Sequence, residues 1–274
     1  MFSGLLSIPH AILLGIVEGI TEFLPVSSTG HLLVVGELIG FGTGSASAAA
    51  DTYSIAIQFG AILAVLVLYR MRVWSLVRGL FGADADGRAI LIRLVVAFLP
   101  AALIGVLAGD AMKSALFGPI PVTIAWLIGG IVLLRWKPTV KSVALHEMPI
   151  RAAFIIGCAQ SIALWPGVSR SLVTLIAALA VGLSMSAAIE FSFLLGLITL
   201  SSATALDLTK HGNELVDQFG VLAPSIGLVC AFITAVIAVK WMVGYLESHS
   251  LRIFGWYRLA IGATSVLLLA TNVL

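Results

Sequence analysis

Charge is what this sequence has least of: Lys, Arg, Asp and Glu together make up 10% of its 274 residues. A water-soluble domain carries roughly a quarter charged residues, so the polar coat that keeps a globular protein dissolved is missing. With 60% hydrophobic residues and a mean hydropathy of +1.14, most of the surrounding solvent must be lipid. Alternation of apolar and polar residues is lacking too. The apolar runs are continuous, which argues against a closed barrel and leaves helices to satisfy the backbone in hydrocarbon. A net charge of +2 with no basic tract gives no footprint for nucleic acid. Cysteine is nearly absent. Cys158 and Cys230 sit in separate apolar stretches and read as small buried hydrophobes, not as a disulfide or a metal pair. No Lys or Arg occurs in residues 1–51, so the basic start of a signal peptide is missing and the whole chain is expected to be mature.

Long apolar runs are what the sequence has in quantity. Six segments, at 53–69, 89–109, 119–134, 187–206, 221–239 and 253–274, approach the ~20 residues that cross a hydrocarbon core. The second reaches across only if Arg93 snorkels to the interface. Two other regions, 3–40 and 151–182, are apolar at both ends and polar in the middle. Each half is too short to cross, so each region is expected to enter and leave on one side as a re-entrant helix pair. The predicted fold class is an all-α polytopic membrane protein, one integral membrane domain with about six transmembrane helices and two re-entrant pairs.

Basic residues set the orientation. All Lys and Arg except Lys113, Arg170 and Lys210 fall in three stretches, 70–93, 135–151 and 240–258. Six spans and two re-entrant pairs place these stretches on one face, expected to be cytoplasmic, with both termini outside. The opposite linkers, 110–118 and 207–219, hold only Lys113 and Lys210. The first re-entrant pair then opens outward and the second inward, giving repeats of opposite topology at about 1–110 and 119–274. At one constant offset Gly15 matches Gly157, Glu18 matches Gln160, Ile20 matches Ile162 and Phe23 matches Trp165, followed by Val26 with Val168, Ser27 with Ser169 and Thr29 with Ser171. Inverted repeats with broken helices place their site near the midplane, where the two interruptions meet.

The first interruption reads Glu18-Gly-Ile-Thr-Glu22-Phe-Leu-Pro25-Val-Ser27-Ser28-Thr29-Gly30-His31. Glu18 and Glu22 are four apart and share a helix face. Two carboxylates so close in a low dielectric cannot both stay charged without an offsetting positive group, and Mg²⁺ or Ca²⁺, which prefer oxygen ligands, is the expected partner. Pro25 ends the helix, and the hydroxyls and backbone N–H groups of Ser27, Ser28, Thr29 and Gly30 can cradle a phosphate. His31 adds a group that moves protons near neutral pH. The plainer alternative, acids in a wet vestibule that only satisfy backbone, is disfavoured because intramembrane acids are costly and usually functional.

The second interruption reads Gln160-Ser-Ile-Ala-Leu-Trp165-Pro166-Gly167-Val168-Ser169-Arg170-Ser171-Leu172-Val173-Thr174. In the predicted topology Arg170 is the only basic residue inside the membrane, and it needs an anion. Glu18, Glu22 and a bound phosphate are the choices. Arginine holds phosphate through a bidentate fork, here flanked by Ser169, Ser171 and Thr174. A purely structural Arg–Glu bridge between the repeats is the alternative, and the two can alternate in a reaction cycle. Glu190, inside a span, is read as structural, paired near a helix end.

These two motifs, Glu18-x-x-x-Glu22-Phe-Leu-Pro-Val-Ser-Ser-Thr-Gly-His31 and Pro166-Gly-Val-Ser169-Arg170-Ser171-x-x-Thr174, resemble those of the bacterial undecaprenyl-pyrophosphate phosphatases of the bacitracin-resistance type. Gln58-Phe-Gly-Ala, Glu190-Phe-Ser-Phe, Ala203-Thr-Ala-Leu-Asp and Tyr257-Arg258 extend the likeness over about residues 10–260. Leu172 departs from the pattern, where the family usually has glycine. The resemblance implies removal of the terminal phosphate from a C55 polyprenyl diphosphate at the outer leaflet of a bacterial cytoplasmic (inner) membrane. This regenerates the carrier lipid of wall synthesis and confers bacitracin resistance.

The expected catalytic group is Glu18, Glu22, Ser28, His31 and Arg170, with Ser27, Thr29, Gly30, Ser169, Ser171, Thr174 and Gln160 on the phosphates and Mg²⁺ or Ca²⁺ held by Glu18 and Glu22. Ser28 is the preferred nucleophile and His31 its general base. His31 as nucleophile, or attack by metal-bound water, stays open. The rival reading is a secondary transporter or lipid flippase using the same polar residues, since such repeats are typical of carriers. A non-catalytic scaffold fits poorly with so many convergent polar groups. Gly129, Gly130 and Gly196 can serve close helix packing within one chain or between copies in a homo-oligomer.

Overall fold

The computed structural model describes residues 6–41, 47–137 and 142–274. The first residues of the 3–40 region and Lys141 of the second basic stretch lie outside the described residues. Eleven α-helices are seen among those described: α1 (Ile8–Thr21), α2 (Ser28–Leu38), α3 (Ser47–Leu68), α4 (Arg70–Leu80), α5 (Ala85–Leu116), α6 (Pro119–Arg135), α7 (Ile150–Ser161), α8 (Arg170–Ala180), α9 (Met185–Phe219), α10 (Leu222–Leu246) and α11 (Arg252–Ala270). Five of them, in α3, α5, α9, α10 and α11, are long and apolar enough to cross a membrane. α6, expected as a further span, has 17 residues, about 26 Å at 1.5 Å per residue, and falls among the shorter apolar helices. The protein is an all-α polytopic membrane protein.

The two interrupted regions are the helix pairs α1/α2 and α7/α8, each half 11–14 residues long. They are bent by the same device. Pro25 and Pro166 stop the incoming helix, and Ser27 and Ser169 then take positive φ values of 75° and 77°, a region that only a well-determined surrounding sustains in a non-glycine residue. Each serine caps the next helix, Ser27 Oγ accepting from Gly30 N and Ser169 Oγ from Leu172 N. The offset that aligned the sequences therefore also aligns the backbone. Packing follows the same exchange: α1 lies against α10 while α7 lies against α5, and α3 meets α9 as α6 meets α11. Gly15 and Gly157 allow the first two contacts, since a Cβ there would sit 2.3 Å from Gly227 O and 2.5 Å from Ala97 O. Thr123 of α6 and Ser265 of α11, 142 residues apart, share a hydrogen bond of 2.6 Å. That separation equals the repeat offset (157 minus 15).

Several expectations shift. The stretch 207–219, expected as a linker, continues α9 without interruption, because Asp207, Lys210, His211, Glu214 and Asp217 are compatible with helix and nothing breaks it before Gly220 (φ 68°). Likewise α5 runs through 110–116. The third basic stretch narrows to a short connection before Arg252, and Arg258 lies inside α11, fully buried. Arg170 is therefore not the only intramembrane guanidinium. Cys158 is exposed, on the outward face of α7 beside Phe154 and Ile155, and Cys230 is half-buried. Both thiols are free. Arg93 donates to the carbonyls of Ala89 and Met148, and Glu190 near the start of α9 pairs with Arg72 of α4.

Candidate functional site

The two turns meet. Gly167 N, in the second, donates to Ser27 Oγ in the first at 3.1 Å, and Ser171 Oγ donates to Leu24 O at 2.8 Å. This places Arg170, the first residue of α8, beside Glu22, the last before the first turn. Arg170 Nη2 donates to Glu22 Oε1 at 2.9 Å, its Nη1 to Ser192 O at 3.0 Å, and its guanidinium lies 5.4 Å from the Phe23 ring centre. Gly196 makes room for it, as a Cβ there would be 2.2 Å from Arg170 Nη1. The other carboxylate oxygen, Glu22 Oε2, accepts a hydrogen bond from Ser28 Oγ. Serine, glutamate and arginine thus form one continuous chain of contacts.

A cavity of about 210 Å³ opens onto this chain, lined by Glu22, Ser27, Ser28, Thr29, Gln160, Ser169 and Arg170 among others. A second cavity of about 540 Å³ shares Thr29, Gln58, Ala163, Leu164 and Pro166 with it and extends between the start of α3 and the end of α5. The first offers polar groups from both turns. The second is mostly apolar and suits a hydrocarbon-bearing ligand.

Not every predicted residue faces the cavity. Gly30 packs on Trp126 and Val122. Thr174 is fully buried, its hydroxyl bonded to Arg170 O and Ser192 Oγ, and Ser171 ties the turns together instead of facing a ligand. Leu172, at the family's glycine position, is buried in the core, and its backbone N–H donates to the capping Ser169 Oγ. Glu18 is fully buried next to Glu22 and Arg170 and lines neither cavity, and neither of its carboxylate oxygens has a hydrogen-bond partner of good geometry among the described residues. Gln160 accepts from Thr199 through Oε1 and leaves Nε2 unpartnered.

The expected Ser28–His31 couple is not formed. His31 Nδ1 lies 2.7 Å from Ser27 O and Nε2 2.8 Å from Tyr257 Oη. A carbonyl only accepts, so Nδ1 carries the proton and Tyr257 donates to Nε2. The ring therefore braces the strained Ser27, stacked on Tyr257 and tilted against Trp126, and Glu22 takes the position beside Ser28. From the sequence, Tyr257 enters only as part of the family likeness, and Arg258 as part of that likeness and of the third basic stretch. Arg258 donates to the carbonyls of Pro25, Ala125 and Gly167. Gln58 and Thr199 also line the cavity without having been singled out for it.

The chain is 44% identical over 260 residues to an undecaprenyl-diphosphatase of Sorangium cellulosum, covering 92% of this chain and 83% of that protein. It is 42% identical over 266 residues to one of Rhodopseudomonas palustris (95% and 97% covered) and 45% identical over 263 residues to one of Sphingopyxis alaskensis (94% and 97% covered). The family model described as bacitracin resistance protein BacA matches residues 11–264, and the chain belongs to that family.

Proposed function

We propose that this protein hydrolyses undecaprenyl diphosphate to undecaprenyl phosphate and inorganic phosphate, recycling the carrier lipid of wall synthesis and so conferring bacitracin resistance. The observation that carries the mechanism is the Ser28–Glu22–Arg170 chain at the mouth of a cavity formed by both turns. The diphosphate enters the smaller cavity and the prenyl chain lies along the larger, apolar one. Arg170 and the amide N–H groups of Ser28 and Thr29 at the start of α2, which have no intrahelical acceptor, hold the terminal phosphate and offset the charge that develops on its oxygens. Ser28 Oγ bonds to the terminal phosphorus as its proton passes to Glu22 and the bond to the bridging oxygen breaks. Glu22 gives that proton to the departing undecaprenyl phosphate. Ionised again, it takes a proton from the water that opens the phosphoserine and returns it to Ser28.

Glu18 and Glu22 are also the residues that would hold Mg²⁺ or Ca²⁺. The buried carboxylate of Glu18 is in need of a cation or a proton, and Glu22, whose oxygens are taken by Arg170 and Ser28, would join it on such an ion, which prefers oxygen ligands, by releasing one of them. When bound, the ion would neutralise part of the diphosphate charge.

The proposed location is the bacterial inner membrane with the cavity open to the outer side. Supporting this, the larger cavity lies at the ends of α3 and α5 marked by Asp51 and Gly109. Arg70, Arg72 and Arg78 lie on α4, which follows the opposite end of α3, and Arg88 lies near the opposite end of α5, an arrangement that supports a cytoplasmic location for them. The test is phosphate release from undecaprenyl diphosphate by the purified protein in detergent, where no gradient exists. Turnover there supports the phosphatase, and binding without phosphate release supports a carrier.

A further inference from the structure

Arg258 takes no part in the chemistry above, yet it is fully buried and the site is built around it. Nη2 donates to Ala125 O and to Gly167 O, both at 2.8 Å, and Nη1 to Pro25 O at 3.4 Å. Pro25 belongs to the first turn, Gly167 to the second and Ala125 to α6. No acidic side chain pairs with it among the described residues, and it lines none of the described cavities. The side chain passes over Gly129, where a Cβ would stand 2.3 Å from Nη2.

Non-helical backbone at membrane depth must be satisfied by protein, and a planar guanidinium with five donors reaches carbonyls on separate segments in a way that an ammonium, a compact point charge, does not. Pro25 lies three residues before Ser28, and Gly167 three before Arg170. A shift of either carbonyl therefore moves one side of the reacting pair relative to the other.

We infer that Arg258 is a positioning residue: by holding Pro25 O and Gly167 O from one side chain, it fixes the spacing of the two turns at which Arg170 meets Glu22. This rests on the reading that those turns carry the phosphatase reaction. Since misplacement by about 1 Å can lower a rate by about 100-fold, the expected effect is on turnover more than on substrate affinity.

The test uses the full-length purified chain with undecaprenyl diphosphate and compares R258M, R258K, G129A and the control R170M. The expected result is a kcat about 100-fold lower for R258M with KM within about threefold, partial recovery in R258K, and an intermediate loss in G129A. Far-UV circular dichroism should remain as in the parent. G129A displaces the guanidinium, so adding it to R258M should lower kcat no further. Should R258M fail to fold, R258K and G129A carry the test, each expected to lose about tenfold in kcat while melting near the parent temperature. The inference is overturned if R170M is inactive but folded R258M, or R258K and G129A, turn over as the parent does. It is equally overturned if activity falls only in step with the folded fraction. An active R170M would instead remove the site reading itself, which separates the two failures.

Discussion

Arg170 Nη2 lies 2.9 Å from Glu22 Oε1, across a sequence separation of 148 residues and from different helix pairs, α7/α8 and α1/α2. A buried ion pair repays its desolvation only with good geometry and further hydrogen bonds. Here Ser28 Oγ and Ser192 O complete the set, so the pair ties the turns together and leaves Glu22 aligned on a hydroxyl. R170A should leave an uncompensated acid and remove the positive charge that faces the phosphate. We expect kcat/KM to fall about 10³-fold, equivalent to about 4 kcal/mol, measured as phosphate release from a monodisperse preparation.

E22Q keeps size and hydrogen bonding while removing the base. Its kcat should drop by about 10³-fold, within the usual range for general-base loss. Y257F should lose only one hydrogen bond to His31, worth about 1 kcal/mol, and so about fivefold in kcat. A larger loss in Y257F than in E22Q, seen in the same assay, contradicts the bracing role given to His31.

Gly196 provides a test that leaves every reacting side chain in place chemically. G196A places a methyl 2.2 Å from where Arg170 Nη1 now lies, so the guanidinium must move off Glu22. Turnover should fall by about 10–100-fold with the helical content unchanged. Parent-like kinetics in a folded G196A protein would show that the close contact does not position Arg170.

E18Q should weaken any cation requirement at its source. If Glu18 and Glu22 share Mg²⁺ or Ca²⁺, the half-saturating metal concentration should rise by at least about tenfold, and chelation should silence the parent enzyme reversibly. A chelator-resistant parent, or an unchanged metal titration in E18Q, counts against that proposal.

The pair at the centre was legible because charge inside hydrocarbon is costly. Glu18, Glu22 and Arg170 stand out in apolar runs, and the serine turns share an offset visible in residue types. Arg258 was hidden for the same reason turned round. Six residues after Arg252, it reads as the tail of a cytoplasmic basic stretch, and the carbonyls that hold it come from Pro25, Ala125 and Gly167, whose convergence is tertiary. The choice between Glu22 and His31 beside Ser28 was equally out of reach, because three residues along α2 turn His31 toward Ser27 O and Tyr257. Helix ends misled where polarity was taken for a break: α9 carries Asp207 to Asp217 in helix and stops at Gly220.

Rapid acid quench of the enzyme with undecaprenyl diphosphate labelled in its terminal phosphate probes the reaction at its first covalent step. Acid-stable label on Ser28, absent in S28A and much reduced in E22Q, is the predicted result. Acid-labile label on His31, or steady phosphate release by S28A, would contradict the account.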